Sequence, residues 1–115
     1  MKKLFALLVT LSACVSVTAF AGNVAAGKVA AQKYNCAACH GADYNTPIDG
    51  SYPKLAGQHA DYIDATLRAY QRGADGAYGR SNAIMGGIAK ALTKTEISDL
   101  SAYISSLKGS LVLRK

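Results

Sequence analysis

Side chains that bind metals are scarce in this sequence: two histidines, His40 and His59, and three cysteines in 115 residues, with no second Cys-x-x-Cys pair. A structural zinc site draws four ligands, usually from two spaced pairs, and beside Cys36, Cys39 and His40 there is no second cysteine pair and only His59, so zinc fails for want of ligands. The apolar stretch over residues 4–17 is shorter than the roughly 20 residues that a membrane-spanning helix requires. Positive charge is present but dispersed, with Lys28, Lys33, Lys54, Arg68, Arg72, Arg80, Lys90 and Lys94 spread along the chain. Dispersed charge reads as a solvated surface, and the dense basic stripe of a nucleic-acid binder is missing. Period-two alternation of useful length is absent and no internal repeat occurs. Both prolines and most of the glycine gather in residues 42–56 and 73–87, which read as loops. Nothing resembles a general base, an activated nucleophile or a phosphate cradle. Asp61 and Asp64 are three apart, but they fall in the first turn of a predicted helix, where the dipole favours acidic side chains.

What the chain does have begins at its N-terminus. Residues 1–21 combine a basic start (Lys2, Lys3), an apolar stretch over 4–17 and the small-x-small ending Ala19-Phe20-Ala21. That is the layout of a cleaved secretory signal peptide, and it predicts export to the periplasm. A second processing route is present in Leu11-Ser12-Ala13-Cys14, which would make Cys14 a lipid-anchored N-terminus; either route exports the chain. Cleavage after Ala21 leaves one domain, residues 22–115, without a membrane span. Its formal charge falls from +6 to +4 as Lys2 and Lys3 leave. A domain of this size builds only a modest core from protein alone.

Cys36 and Cys39 remain after cleavage, in Cys36-Ala37-Ala38-Cys39-His40. Cys-x-x-Cys-His is the attachment signature of a c-type haem. Two thiols three positions apart on a helical turn can each form a thioether to one haem vinyl group, and the following imidazole then meets the iron. A thioredoxin-like dithiol would need a βαβ setting, whereas the surroundings read as helical. A second iron ligand is then expected. Met85 is the one methionine left once Met1 is removed, and it lies in Asn82-Ala83-Ile84-Met85-Gly86-Gly87, read here as a glycine-bearing loop that could bring the thioether to the iron. His59 is the rival, and would give a bis-histidine haem of lower potential.

The remaining pattern is helical. Residues 24–34 are alanine-rich and carry the small pair Gly27 and Ala31 on one face. Residues 60–72 place Ile63, Leu67 and Tyr70 at helical spacing and stop at Gly73. Thr93-x-x-Glu96 is a capping box, followed by the stripe Ile97, Leu100, Ile104 and Leu107, with Gly109 as its expected end. The apolar tail of residues 111–115 has no counterpart in this pattern.

These motifs resemble the class I c-type cytochromes, in particular the small bacterial monohaem, c553-like kind. Cys36 to Gly41 looks like the haem motif, Tyr52-Pro53-Lys54-Leu55-Ala56-Gly57-Gln58 like the loop that follows it, and residues 85–107 like the ligand loop and final helix. The resemblance implies an all-α fold of about three to five short helices wrapped around one covalent haem c. It implies that the first and last helices cross, with Gly27 and Ala31 against Leu100, Tyr103 and Ile104. It gives Pro53 the role of accepting the Nδ1 hydrogen of His40. Ligation by His40 and Met85 would close the iron to substrate, leaving one-electron transfer as the activity. The chain is then no enzyme but a carrier between redox proteins, such as a respiratory complex or terminal oxidase. Two alternatives share these motifs: a haem-bearing subunit of a larger dehydrogenase or oxidase, and a bis-histidine or gas-binding haem protein.

Overall fold

The computed structural model describes residues 22–111, so the predicted leader, Cys14 and the last four residues of the tail lie outside the described residues. Five helices follow one another: α1 (Val24–Lys33), α2 (Ala37–His40), α3 (Ala60–Arg72), α4 (Ala83–Ala91) and α5 (Lys94–Ser106), with no strand among the described residues. No described helix is long and apolar enough to cross a membrane.

The framework is the crossing of α1 on α5. Gly27 is buried there, and a Cβ on it would stand 2.0 Å from the Asp99 carbonyl oxygen. Only a hydrogen fits at that point, so the expected small-residue crossing is realised on the backbone of α5 one turn before Tyr103. Ala30 and Ala31 continue the contact and meet the buried side chains Ile97, Leu100 and Ile104 of α5. The Asn23 side chain caps α1 by accepting from the Ala26 N–H at 2.9 Å, and the Asn23 backbone N–H donates to the Asp99 carboxylate at 2.7 Å.

Glu96 fastens the other end of the same pair. Its carboxylate completes the capping box with Thr93, pairs with Lys33 at 2.8 Å and accepts from the Tyr34 hydroxyl. The Lys33 ammonium, followed by the Thr93 N–H, pulls its pKa from 4.5 down to about 2. A carboxylate with a depressed folded-state pKa adds stability above its unfolded pKa and loses it as pH falls through the folded value. Between about pH 4.5 and 2, the urea midpoint of the holoprotein should therefore fall more steeply for wild type than for Glu96→Gln, which keeps the cap geometry but cannot titrate. Parallel curves across that window would refute the assignment.

Two elements differ from expectation. The final helix stops at Ser106, before the predicted Gly109, because Leu107 turns extended and hands the chain to a close pass over Ala56. Gly109 lies in that pass, where a Cβ would sit 2.2 Å from the Ala56 carbonyl oxygen. The larger correction concerns Met85. It is the third residue of helix α4 and does not lie in a loop. Glycine disfavours helix by about 1 kcal/mol relative to alanine, which is why Gly86 and Gly87 suggest a loop. Tertiary contacts override that preference. The Asn82 side chain caps the helix by accepting from the Met85 N–H at 2.9 Å, Ala89 is fully buried, and the Gln71 amide of α3 donates to the Ala89 and Leu92 carbonyls at 2.8 and 2.9 Å.

Candidate functional site

A cavity of about 430 Å³ opens between α2, the 51–58 loop, α3, α4 and α5, a size typical of small-molecule and cofactor sites. Its deep wall is apolar, built from Ile63, Leu67, Leu92, Leu100 and Ile104, while polar side chains collect towards its rim.

Cys36, Cys39 and His40 enter it together. The single turn of α2 follows α1 after Asn35, which takes a left-handed φ of 52° and so bends the chain sharply. Asn tolerates that conformation better than other non-glycine residues. The two cysteines are not joined to each other. Burial pushes the Cys36 thiol pKa upward, the opposite of what a redox-active dithiol requires.

His40 is buried, and its Nδ1 lies 2.9 Å from the Pro53 carbonyl oxygen. A carbonyl only accepts, so Nδ1 carries the hydrogen and Nε2 is the nitrogen available to a metal. Tyr52 packs edge-on against the ring at 6.2 Å between centroids.

Sequence reasoning missed the device that holds the Pro53 loop against the motif. Tyr44 is buried with a left-handed φ of 55°, its carbonyl accepts from the Leu55 and Ala56 N–H groups at 2.8 and 2.9 Å, and its ring meets Tyr103 of α5 edge-on at 5.9 Å. Burial raises its hydroxyl pKa to about 12, so it stays neutral in the core.

Met85 lines the cavity from the first turn of α4. His59 does not line it; it is an exposed residue at the N-terminus of α3. Asp64, weighed above as part of an acid pair, instead forms a two-pronged ion pair with Arg68 at 2.5 and 3.1 Å. Sequence reasoning also missed Arg80, counted above among dispersed charges. Its guanidinium donates to the Tyr62 hydroxyl at 3.2 Å and lies 5.8 Å from the ring centres of both Tyr62 and Tyr70, on the cavity rim. The spacing of Tyr62 and Tyr70, eight residues apart and so on one helix face, was the available signal.

Among the described residues no three His, Cys, Asp or Glu side chains gather as a bare metal ion would require. The donor set is instead two unjoined thiols, one oriented imidazole and one thioether around an apolar slot. It suits an iron that arrives inside a large apolar ring, and the residues present fit a haem.

Comparison with known proteins agrees with that chemistry. The family model described as Cytochrome c matches residues 24–108. A thiosulfate dehydrogenase electron acceptor of Thiomonas intermedia is 42% identical over 76 residues, covering 66% of this chain and 33% of that protein. Cytochrome c-554(548) of Halomonas halodenitrificans is 39% identical over 88 residues, covering 75% of this chain and 98% of the relative. The crystal structure of reduced recombinant cytochrome c4 from Pseudomonas stutzeri superposes with a TM-score of 0.67 at 35% identity, covering 79% of this chain and 48% of that one. The chain therefore spans a third to a half of the length of some relatives and nearly all of others. The five-helix fold, the Cys-x-x-Cys-His turn facing an apolar slot and these matches together establish that the chain belongs to the cytochrome c family, as a bacterial class I c-type cytochrome that carries covalent haem c.

Proposed function

We propose that residues 22–115 form an exported, periplasmic monohaem electron carrier whose haem is attached through Cys36 and Cys39 and ligated by His40 and Met85, after removal of a signal peptide at residues 1–21. The observation that carries this reading is the convergence of those four side chains on one apolar cavity. When bound, the haem supplies one-electron chemistry by cycling its iron between ferric and ferrous states. The protein's part is to hold and insulate. The Pro53 carbonyl fixes the orientation and tautomer of His40 and makes the ring a better donor. The Met85 thioether favours the ferrous state and raises the potential. Ile63, Leu67, Leu100 and Ile104 keep water from the deep face. With His40 and Met85 holding the iron, substrate would have no place on the metal, and the chain acts as a carrier with no bond-making activity of its own.

Its partners are redox proteins, among them a respiratory complex or a terminal oxidase as acceptor. The name of the Thiomonas relative supports a dehydrogenase as donor. Ile84 is half-exposed at the start of α4 beside Met85, and Lys90 is exposed on the same helix. An apolar contact with a charged rim suits the small, transient interfaces of redox encounters.

An optical redox titration tests the reading. One reversible one-electron transition, with a low-spin spectrum in both states and no shift of the reduced bands under carbon monoxide at neutral pH, is the expected result. Ready carbon monoxide binding would instead place the chain among gas-binding haem proteins.

A further inference from the structure

Helix α4 carries Met85 at one end and is gripped at the other. Met85 lies in the first turn, and the two residues that follow it, Gly86 and Gly87, are poor helix formers. A helix of nine residues has little stability of its own, and this one packs mainly on α3. The last carbonyls of a helix have no partner within it, and here side chains from other elements take them. The Tyr34 hydroxyl donates to the Ala91 carbonyl at 3.1 Å, but it also serves the Glu96 carboxylate. Gln71, half-buried in the last turn of α3, donates from Nε2 to the Ala89 carbonyl at 2.8 Å and to the Leu92 carbonyl at 2.9 Å. Both partners are carbonyl oxygens, which only accept, so both hydrogens of the amide nitrogen are given to the end of α4. Ala89 stands one turn beyond Met85. A grip on its carbonyl therefore reaches Met85 through a single turn, the one that contains both glycines.

We propose that Gln71 is a positioning residue for the iron ligand: by tying the end of α4 to α3 it keeps Met85 at the cavity and sets how readily an outside ligand takes its place. The inference rests on the reading of Met85 as the second ligand. With the tie in place, the thioether withdraws only if the turn between Met85 and Ala89 deforms or two hydrogen bonds break. Without it, α4 is free to shift as a unit on α3. An outside ligand reaches the iron only in molecules whose Met85 has withdrawn, so its apparent affinity reports the size of that population.

Imidazole added to the ferric holoprotein at pH 7 is the probe, and its binding is followed through loss of the sulfur-to-iron band. Covalent haem is first shown by denaturing electrophoresis, and helix content by far-UV circular dichroism, for every variant. Gln71→Leu, which fills similar space without donors, should bind imidazole roughly tenfold more tightly than wild type, the scale of one or two lost hydrogen bonds. Gln71→Glu, whose ionised carboxylate can donate to neither carbonyl, should shift in the same direction. Gln71→Lys, whose ammonium can still donate to both, should shift less than Gln71→Leu. Arg68→Gln breaks the ion pair with Asp64 on the same helix; it controls for general loosening of α3 and should leave imidazole binding near wild type. Wild-type imidazole affinity in Gln71→Leu would overturn the proposal, as would a shift of equal size in Arg68→Gln. If Gln71→Leu does not accumulate as holoprotein, Gln71→Glu decides by the same criterion. Met85→Ala separates this proposal from the reading beneath it. A sulfur-to-iron band that survives in Met85→Ala refutes Met85 as the ligand, whereas a band lost there, with imidazole binding unchanged in Gln71→Leu, refutes the role of Gln71 alone.

Discussion

Replacing Cys36 and Cys39 together with alanine is expected to abolish covalent haem attachment: haem that stays with the wild-type polypeptide through acid acetone and denaturing electrophoresis should be lost from the variant. Structural collapse should accompany the loss. The vacated cavity of about 430 Å³ is walled by Ile63, Leu67, Leu100 and Ile104. At about 24 cal/mol per Å³ of unfilled apolar cavity, leaving it empty would cost up to roughly 10 kcal/mol. That is an upper bound because the mouth admits water, yet it is comparable with the whole stability of an ordinary domain. Far-UV circular dichroism of the double variant should show reduced helix and a broad, poorly cooperative melt. Free extraction of haem from wild type would end the thioether assignment.

Substituting Met85 by alanine should have the second-largest effect, on the iron itself. The weak sulfur-to-iron absorption band of the oxidised protein should vanish. The potential should fall by on the order of a hundred millivolts or more, within the roughly 0.8 V span that axial ligation covers. The vacated position should also admit carbon monoxide. His59→Ala is the control, because His59 is exposed and does not line the cavity, and it should leave band and potential unchanged. The reverse pattern would identify His59 as the ligand.

Features encoded by neighbours in the chain could be read directly from the sequence. The Thr93-x-x-Glu96 box starts α5, the Ile63, Leu67 and Tyr70 spacing gives α3, and five residues from Cys36 to His40 announce the haem. What could not be read depends on partners far away. Helix α4 looks like a loop because Gly86 and Gly87 disfavour helix, and the groups that decide the matter, Gln71 and the buried pocket for Ala89, belong to tertiary structure. Arg80 is one basic residue among many until α3 places Tyr62 and Tyr70 on either side of it. Likewise no local rule predicts a left-handed tyrosine, and Tyr44 is held there by the backbone of residues 55 and 56 and by the ring of Tyr103.

The crossing of α1 on α5 also sets an order of assembly. Asn23 and Asp99, which bond across it, are 76 residues apart, so the two ends of the domain must meet before either is secured, and closing so long a loop carries its entropy cost up front. Leu100 and Ile104, part of the cavity's deep wall, belong to α5, the furthest helix along the chain among the described residues. Until α5 docks, Cys36 and Cys39 sit on a half-built frame with that wall open. Because leaving the cavity empty costs about as much as an ordinary domain's whole stability, that wall should close in step with haem binding and not ahead of it.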